Sequence, residues 1–549
     1  MFARLDRNAK RVGEILAILG RYGIADWLSG LDYEWIQGRL LSFDGERLGK
    51  LTQAARIRLA LTELGTTFIK FGQMLSTRAD LVGPDLAAEL CQLRSHTPPD
   101  SADTVKQTIR TELARPVDEL FAEFDDKPLA SASIGQVHCA RLFSGEQVVV
   151  KVQHAGIEEK ILGDLDIMGM FAELAQNHVS YLHPYQPAAT FREFRRTLLN
   201  ELDFSTEKRN LEEFTANFSQ DAHVHFPKVH AALCSKRVVT MEKLVGISGE
   251  DVPGMRESGF NLSEFAQRGA NMYLDMIFRD GFYHADPHPG NLMMLPGGVV
   301  GVLDCGMVGR LDETLREEVE ALLLAIVNRD SVELTDSVIR LGSAPNDLDR
   351  EALRGEINVF LAEFGTRTLR DLNLGAALQQ MTDIIRRYHI LLPTPLALML
   401  KTLVMLEGTS RLLNPNFNLA ELIEPYQVQV IKHRFSLTRI LRKLYRAYRD
   451  WDRLIDILPR DVAEILRRVR NGTFELRHDH HRLESTVNRL VLGILAGSFF
   501  LGSSLLFSAK AEPEFGGVSI SGLVGFLFSL FFSWRLIRTI NQAEDSDRK

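Results

Sequence analysis

The segment LMMLPGGVVGVL, residues 292–303, constrains the fold more than any other stretch of the chain. Two apolar runs flank Pro-Gly-Gly, which reads as strand, tight turn, strand. A hairpin returns the chain to the edge it left. It therefore brings the preceding segment FYHADPHPGN to the same end as the following DCGMVG. Asn291 and Asp304 meet there, with Asp286 a few residues upstream. An amide oxygen and a carboxylate are hard ligands suited to Mg²⁺.

The same residues obey a second template. His284, Asp286 and Asn291 fit H-x-D-x-x-x-x-N, the spacing of a protein-kinase catalytic loop, and the DCG aspartate stands where a kinase has D-F-G. In that chemistry an aspartate sits beside the acceptor, while the asparagine and the second aspartate hold magnesium. The usual loop arginine is absent, and Ala285 stands in its place.

Upstream, residues 128–153 change from helical periodicity to alternation, as PLASASIGQVHCARL and then SGEQVVVKVQ. ASASIGQVH lies where a kinase carries its Gly-rich loop, so Ala130, Ser131, Ala132, Ser133, Ile134, Gly135, Gln136 and Val137 are the candidate nucleotide-binding segment. VVVKVQ resembles the V-A-I-K strand and places Lys151 on the α- and β-phosphates. That lysine needs a glutamate from a helix. Residues 190–216 read as one helix, on which Glu201 and Glu207 stand roughly 240° apart, so the two glutamates have different partners. A small sheet first and a larger helical part second is the two-lobe kinase plan. After DCG no A-P-E follows, and GMVGRLDETLREEVEALLLAI passes quickly into helix, leaving no room for a normal activation loop.

The chain of 549 residues carries a net charge of −8, which gives no global attraction to nucleic acid. Its four scattered cysteines form no C-x-x-C, so neither a zinc site nor a disulfide framework is indicated, and a reduced cytoplasmic setting fits. The N-terminus reads as an amphipathic helix rather than a secretory signal. The C-terminus holds two uncharged apolar runs, 490–508 and 516–534, each long enough to span a bilayer as a helix. The short connector AKAEPEF makes them a hairpin. Arginines 482, 489, 535 and 538 flank the outer ends, which places those ends and the preceding domain in the cytoplasm. Gly493 with Gly497, and Gly525, Ser529 and Ser533, recur every four residues and allow close helix approach. Residues 432–477 are rich in Lys and Arg, and read either as a basic arm near anionic headgroups or as a solvated helical face. The RHDHH run at 477–481 reads as a charged linker.

Five segments, in order, carry a resemblance to the UbiB/AarF family of atypical kinase-like proteins: KFGQMLSTR at 70–78, ASASIGQVH at 130–138, VVVKVQ at 148–153, ELDFSTE at 201–207, and HADPHPGN with LDCG. The resemblance implies that Lys151 binds phosphate and pairs with Glu207. It implies that Asp286 is the catalytic aspartate, with Asn291 and Asp304 holding Mg²⁺, and that Ala130–Ser133 replace the glycine loop. Lys70 and Gln73, one helical turn apart, would reach over the active site, with Lys70 bridging to Glu201. In the family this extension blocks the groove where kinases place a protein substrate.

The sequence therefore predicts an α+β, protein-kinase-like two-lobe fold with a helical N-terminal extension and a C-terminal transmembrane helical hairpin. The expected parts are 1–125, the extension; 126–250, the N-lobe; 251–430, the helical C-lobe; 431–485, the basic arm; and 486–549, the spans with a cytoplasmic tail. The expected ligands are ATP or ADP and Mg²⁺. The expected function is that of a kinase or ATPase on the bacterial inner membrane that supports isoprenoid-quinone, mainly ubiquinone, biosynthesis. Its partners would be the bilayer, isoprenoid lipid intermediates and quinone-biosynthesis proteins, with self-association into a homodimer left open. A nucleotide-binding pseudokinase scaffold is the alternative, and the phosphoryl acceptor is not fixed by these residues.

Overall fold

In QVVVKVQ, Val148, Val150 and Val152 are fully buried, while Val149 and Lys151 alternate onto the other face. That period of two is what a half-buried strand requires. In the computed structural model of the protein the described residues are 2–24, 51–93, 97–345, 347–364, 374–423, 426, 483–509, 512–515 and 518–547. They divide into two units, Met1–Ser436 and Leu437–Lys549.

The first unit is α+β and mostly helical. Its strands are β1 (Glu123–Phe124), β2 (Ala130–Ser131), β3 (Gly135–Arg141), β4 (Gln147–Gln153), β5 (Val224–His225), β6 (Val238–Glu242), β7 (Ile247–Ser248), β8 (Phe282–His284), β9 (Leu292–Leu295), β10 (Val299–Val302) and β11 (Val308–Arg310). One antiparallel sheet runs β1-β3-β4-β6, with β2 also paired to β3. Its valine face packs on Val105 and Ile109 of the helix Ala102–Leu113. A second sheet runs β5-β10-β9-β7, and its β9-β10 hairpin turns at Gly297 and Gly298, both at positive φ. The Pro-Gly-Gly turn thus forms where the sequence placed it, because glycine alone adopts that backbone region freely. β8 and β11 form a separate two-stranded ladder.

Helices precede, interrupt and follow these sheets. The helix Thr66–Ser76 holds the K-x-G-Q residues, and Gly72 permits its close approach to its neighbours. A Cβ there would lie 2.3 Å from Leu93 and 2.8 Å from Leu61. The expected helix 190–216 is two helices, Pro187–Glu201 and Phe204–Asn217. Leu202 closes the first, and Asp203 caps the second by accepting from the Ser205 amide at 3.0 Å. Glu201 and Glu207 therefore stand on different helices, and the angle expected from one continuous helix does not apply. Downstream, the helices Glu313–Asn328, Ser331–Leu341, Arg350–Phe364, Leu374–Arg387 and Thr394–Leu413 build the C-terminal part of this unit.

Arg78, from the STR of KFGQMLSTR, joins these parts. It is 5% exposed and grips Asp80, itself 3% exposed, through Nε at 3.0 Å and Nη2 at 2.8 Å. It also donates to the Leu392 carbonyl at 3.1 Å and the Thr394 hydroxyl at 3.3 Å, and lies 3.5 Å from Glu193. One guanidinium so links the extension, the Pro187–Glu201 helix and the Thr394–Leu413 helix.

In the second unit, the helices Leu483–Ser508 and Ile520–Asp547 pack side by side. Ser529 donates to the Ala496 carbonyl at 2.9 Å, Gly525 faces Ser503, and Phe499 stacks on Phe528 and Phe532. Gly525 and Ser529 thus serve the close approach. Gly497 does not, since nothing lies within 4 Å of its Cβ position. Val491–Ser508 is long and apolar enough to cross a membrane. The second apolar helix is shorter, Ile520–Leu536, because Val518–Ser519 pair as a strand with Glu514–Phe515 instead of extending the helix back to 516. The basic segment 432–477 and the RHDHH run lie outside the described residues.

The Arg78→Ala variant should lose about 3–5 kcal/mol of stability, because it strands a buried Asp80 carboxylate. Chemical denaturation checks this. A loss below about 1 kcal/mol would mean that Arg78 does not join these elements.

Candidate active site

Two short ladders position the catalytic-loop segment. In the β8-β11 pair, His284 sits opposite Val308, and in the β9-β10 pair, Leu292 sits opposite Val302. Between them the Ala285 amide donates to the Met307 carbonyl at 3.0 Å, and the Leu303 amide to the Asn291 carbonyl at 2.9 Å. The segment 285–291 is thereby tied at both ends to 303–307, the DCG segment. From the other side, Thr402 and Thr409 of the Thr394–Leu413 helix donate to the carbonyls of Ala285 and Pro287, at 3.3 and 3.4 Å. No long segment follows: β11 ends at Arg310, and Asp312 caps the helix starting at Glu313.

His284 is the buried pivot of this arrangement. The Asp286 amide lies 3.2 Å from its Nδ1, and a backbone N–H only donates, so Nδ1 accepts. Nε2 then carries the proton and donates to the Asp304 carbonyl. One imidazole thus sets both the Asp286 and the Asp304 backbone. The sequence motif includes His284 but does not disclose this role.

Asp286 and Asn291 are bonded to each other. Asn291 Nδ2 donates to the Asp286 carboxylate at 2.9 Å and to its carbonyl at 3.2 Å. The amide hydrogens therefore face Asp286, which turns Oδ1 of Asn291 the other way. Asp304 Oδ1 accepts from the Gly306 amide at 2.7 Å, and its side chain is 48% exposed.

Lys151 joins the sheet to this loop. From β4 its ammonium contacts Glu207 at 2.8 and 3.1 Å and Asp304 at 3.2 Å. Glu207 is buried, with its side chain 5% exposed. It comes from the first turn of the Phe204–Asn217 helix, whose buried face is Phe204, Glu207, Asn210, Leu211 and Phe214. Asn210, one turn on, donates to the Cys305 carbonyl at 2.9 Å and so steadies the DCG segment. Its signal was present in the sequence as a polar residue on the apolar face of an amphipathic helix.

Burial works to raise the Asp304 carboxyl, but the Lys151 charge and the Gly306 amide outweigh it and hold the group well below the usual carboxylate range. Burial raises Glu207 above its usual range, against the pull of Lys151. For Lys151, burial acts to lower, but the carboxylates of Asp304 and Glu207 more than offset it and keep the ammonium charged. The cluster is one cation between two anions.

The candidate nucleotide segment Ala130–Val137 is the β2-β3 hairpin, with Ala130 opposite Val137 and the Ala132 amide donating to the Gly135 carbonyl at 2.9 Å. Gly135 lies against β4, where a Cβ would stand 2.6 Å from the Val152 carbonyl oxygen. Val137 is opposite Lys151 across the sheet, so hairpin and lysine share one register. Lys70 forms an ion pair with Glu201. Gln73 donates to the Leu93 carbonyl at 3.0 Å.

The donor chemistry of Asn291 and Asp304 suits magnesium. Both supply oxygen, and among the described residues no group of three or more His, Cys, Asp or Glu stands ready to hold a metal by itself. Magnesium is commonly held by one or two carboxylates together with substrate phosphates and water, which is what a pair of protein ligands requires.

Residues 92–338 match a model of the ABC1 atypical kinase-like domain, 357–418 the UbiB helical domain, and 475–542 the ABC1/UbiB kinase-like C-terminal domain. A protein of Aeromonas salmonicida named probable protein kinase UbiB is 32% identical over 532 residues, covering 94% of this chain and 97% of its own. One of the same name from Azotobacter vinelandii is 30% identical over 524 residues, covering 92% and 94%. A solved chain from Mycobacterium tuberculosis, Rv3197 in complex with erythromycin, aligns with 65% of this chain and 94% of its own at 23% identity. Its TM-score of 0.39 is too low to bear on the fold.

The depressed Asp304 group sets a pH dependence. A carboxyl held below its unfolded value of about 3.8 adds stability above that pH and loses it as the pH falls toward the folded value. Asp304→Asn should therefore differ from the parent chain in the pH dependence of its melting temperature, with a shallower decline below about pH 4. Parallel acid profiles for the two proteins would contradict the Lys151–Asp304 pairing.

Proposed function

The chain belongs to the UbiB family of atypical kinase-like proteins, and on that premise we propose that it binds a magnesium nucleotide between the β2-β3 hairpin and the DCG segment and acts as an ATP-dependent phosphotransferase or ATPase. The observation that carries this reading is Lys151 held between Glu207 and Asp304, beside an Asp286–Asn291 pair. All four chemically necessary types, lysine, catalytic aspartate, asparagine and metal-binding aspartate, are present in one two-lobe kinase-like frame.

Asn291 and Asp304 would hold magnesium, and the bound ion would neutralise charge on the phosphate oxygens. Lys151 would then turn from Asp304 to the α- and β-phosphates, steered by Glu207. Asp286, fixed by Asn291, would orient the attacking oxygen and take its proton. The backbone of Ala130–Val137 would cover the phosphates. The Lys70–Glu201 pair fixes the extension, and no long activation segment follows DCG. Both features favour a small acceptor or water over a protein substrate. The same closure favours a second reading, a nucleotide-binding pseudokinase scaffold that performs no turnover.

The UbiB name of the relatives supports a role in ubiquinone or other isoprenoid-quinone biosynthesis. The apolar helix Val491–Ser508 and its apolar neighbour Ile520–Leu536 support a transmembrane hairpin. With the arginine-flanked outer ends, this supports a catalytic part on the cytoplasmic side of a bacterial inner membrane. The bilayer, isoprenoid intermediates and quinone-biosynthesis proteins are the proposed partners, and homodimers are compatible with this arrangement.

Two variants separate the roles. Asp304→Asn should weaken Mg-ADP binding, measured by calorimetry on the full chain in detergent. Asp286→Asn should keep that affinity and lose about a hundredfold or more in ATP turnover. Unchanged Mg-ADP affinity in folded Asp304→Asn would remove the metal assignment. Unchanged turnover in Asp286→Asn would make Asp286 structural, and no turnover by the parent chain in lipid would favour the scaffold.

A further inference from the structure

Residues 97–100, between the helices Pro84–Leu90 and Ala102–Leu113, lie against the β2-β3 hairpin and make polar contacts with it. The Ser131 hydroxyl donates to the Thr97 carbonyl at 2.8 Å. The Asp100 amide donates to Gln136 Oε1 at 2.6 Å. Gln136 is 1% exposed, and its orientation is itself fixed. His138 Nδ1 donates to the Asp125 carbonyl at 2.8 Å, so its Nε2 accepts from Gln136 Nε2 at 2.7 Å and turns Oε1 toward Asp100.

The Asp100 side chain makes the second connection. Its Oδ2 accepts from the Ala155 amide at 3.0 Å and stands 3.2 Å from His154 Nδ1. His154 is 3% exposed and follows β4 directly. Its Nε2 lies 3.1 Å from the Ala132 carbonyl, and its amide donates to the Ile134 carbonyl at 2.9 Å. Both imidazole nitrogens therefore face acceptors, a carboxylate on one side and the hairpin tip on the other. Only the doubly protonated ring donates to both. A neutral ring must set a lone pair against either Asp100 or Ala132. Among the described residues, Asp100 is the charged group paired with this ring.

We propose that Asp100 and His154 form a latch that positions the Ala130–Gln136 hairpin over the nucleotide phosphates, so that the N-terminal extension sets the shape of the nucleotide site through residues 97–100. The proposal rests on reading this cleft as a nucleotide site. Asp100 and His154 are positioning residues and touch no reacting atom. The latch is polar, so opening it loosens the hairpin tip around Ala132 while buried Ile134 and the valine face of the sheet stay packed.

The test measures the hairpin and the ligand separately, on the full chain in detergent. Amide hydrogen exchange of peptides covering 130–137 is followed in the parent chain and in Asp100→Asn and His154→Gln. Mg-ADP is titrated in parallel. In both variants exchange of the hairpin should rise by about tenfold, the size of one charge-assisted hydrogen bond. Mg-ADP affinity should weaken to a similar degree. Unchanged hairpin exchange in either folded variant overturns the latch. The two variants break it from opposite sides, so a folding failure in one leaves the other to decide. Absence of Mg-ADP binding by the parent would overturn the nucleotide reading instead, and the exchange data would still decide the latch.

Discussion

One ammonium group, that of Lys151, whose side chain is 16% exposed, is bonded to two carboxylates that come from different parts of the chain. Strand β4 supplies the lysine, the Phe204–Asn217 helix supplies Glu207, and the DCG segment supplies Asp304. Removing the cation would leave Glu207 charged and buried, which is costly. The triad therefore holds sheet, helix and catalytic loop in one geometry. It also has an unbalanced charge of one cation to two anions. A divalent cation arriving at half-exposed Asp304 would correct that imbalance and free Lys151 for a phosphate oxygen. On the proposed reading, the pairing that stabilises the chain without ligand would give way to a magnesium nucleotide.

The helical extension acts on this centre through polar contacts at separate points. Lys70 reaches Glu201, which stands six residues before Glu207 but on the preceding helix. Arg78 fixes the extension to residues 392–394, the entry to the helix whose threonines brace the catalytic-loop carbonyls. Asp100 reaches the hairpin and His154. In an ordinary kinase a long activation segment would occupy the acceptor side. Here the chain passes from Gly306 to a helix at Glu313, and the chain that precedes the sheet supplies order instead.

Local chemistry made part of this legible. The Pro-Gly-Gly turn and the alternating valines around Lys151 led to the hairpin and the sheet. The break at Leu202–Asp203 was missed because Glu, Leu and Asp continue a helical pattern, whereas capping of the next helix by Asp203 depends on how the chain is held there. The start of the second apolar helix was misplaced because Val518–Ser519 suit either a helix or a strand, and the Glu514–Phe515 partner decided it. His154 and Asp100 carry no motif. Their roles arise from long-range contacts, such as the 54-residue separation between Asp100 and His154, which no local pattern encodes.

The central claim is that Lys151 and Glu207 act as one unit in holding nucleotide. A double-mutant cycle on Mg-ADP affinity, with Lys151→Met, Glu207→Gln and the double variant in the full chain, tests it most directly. The account predicts strong non-additivity, with the double variant binding about as weakly as Lys151→Met alone, because Glu207 acts only by aiming the lysine. Additive losses, with each variant shown to be folded, would mean that the two residues serve the site independently and would contradict the account.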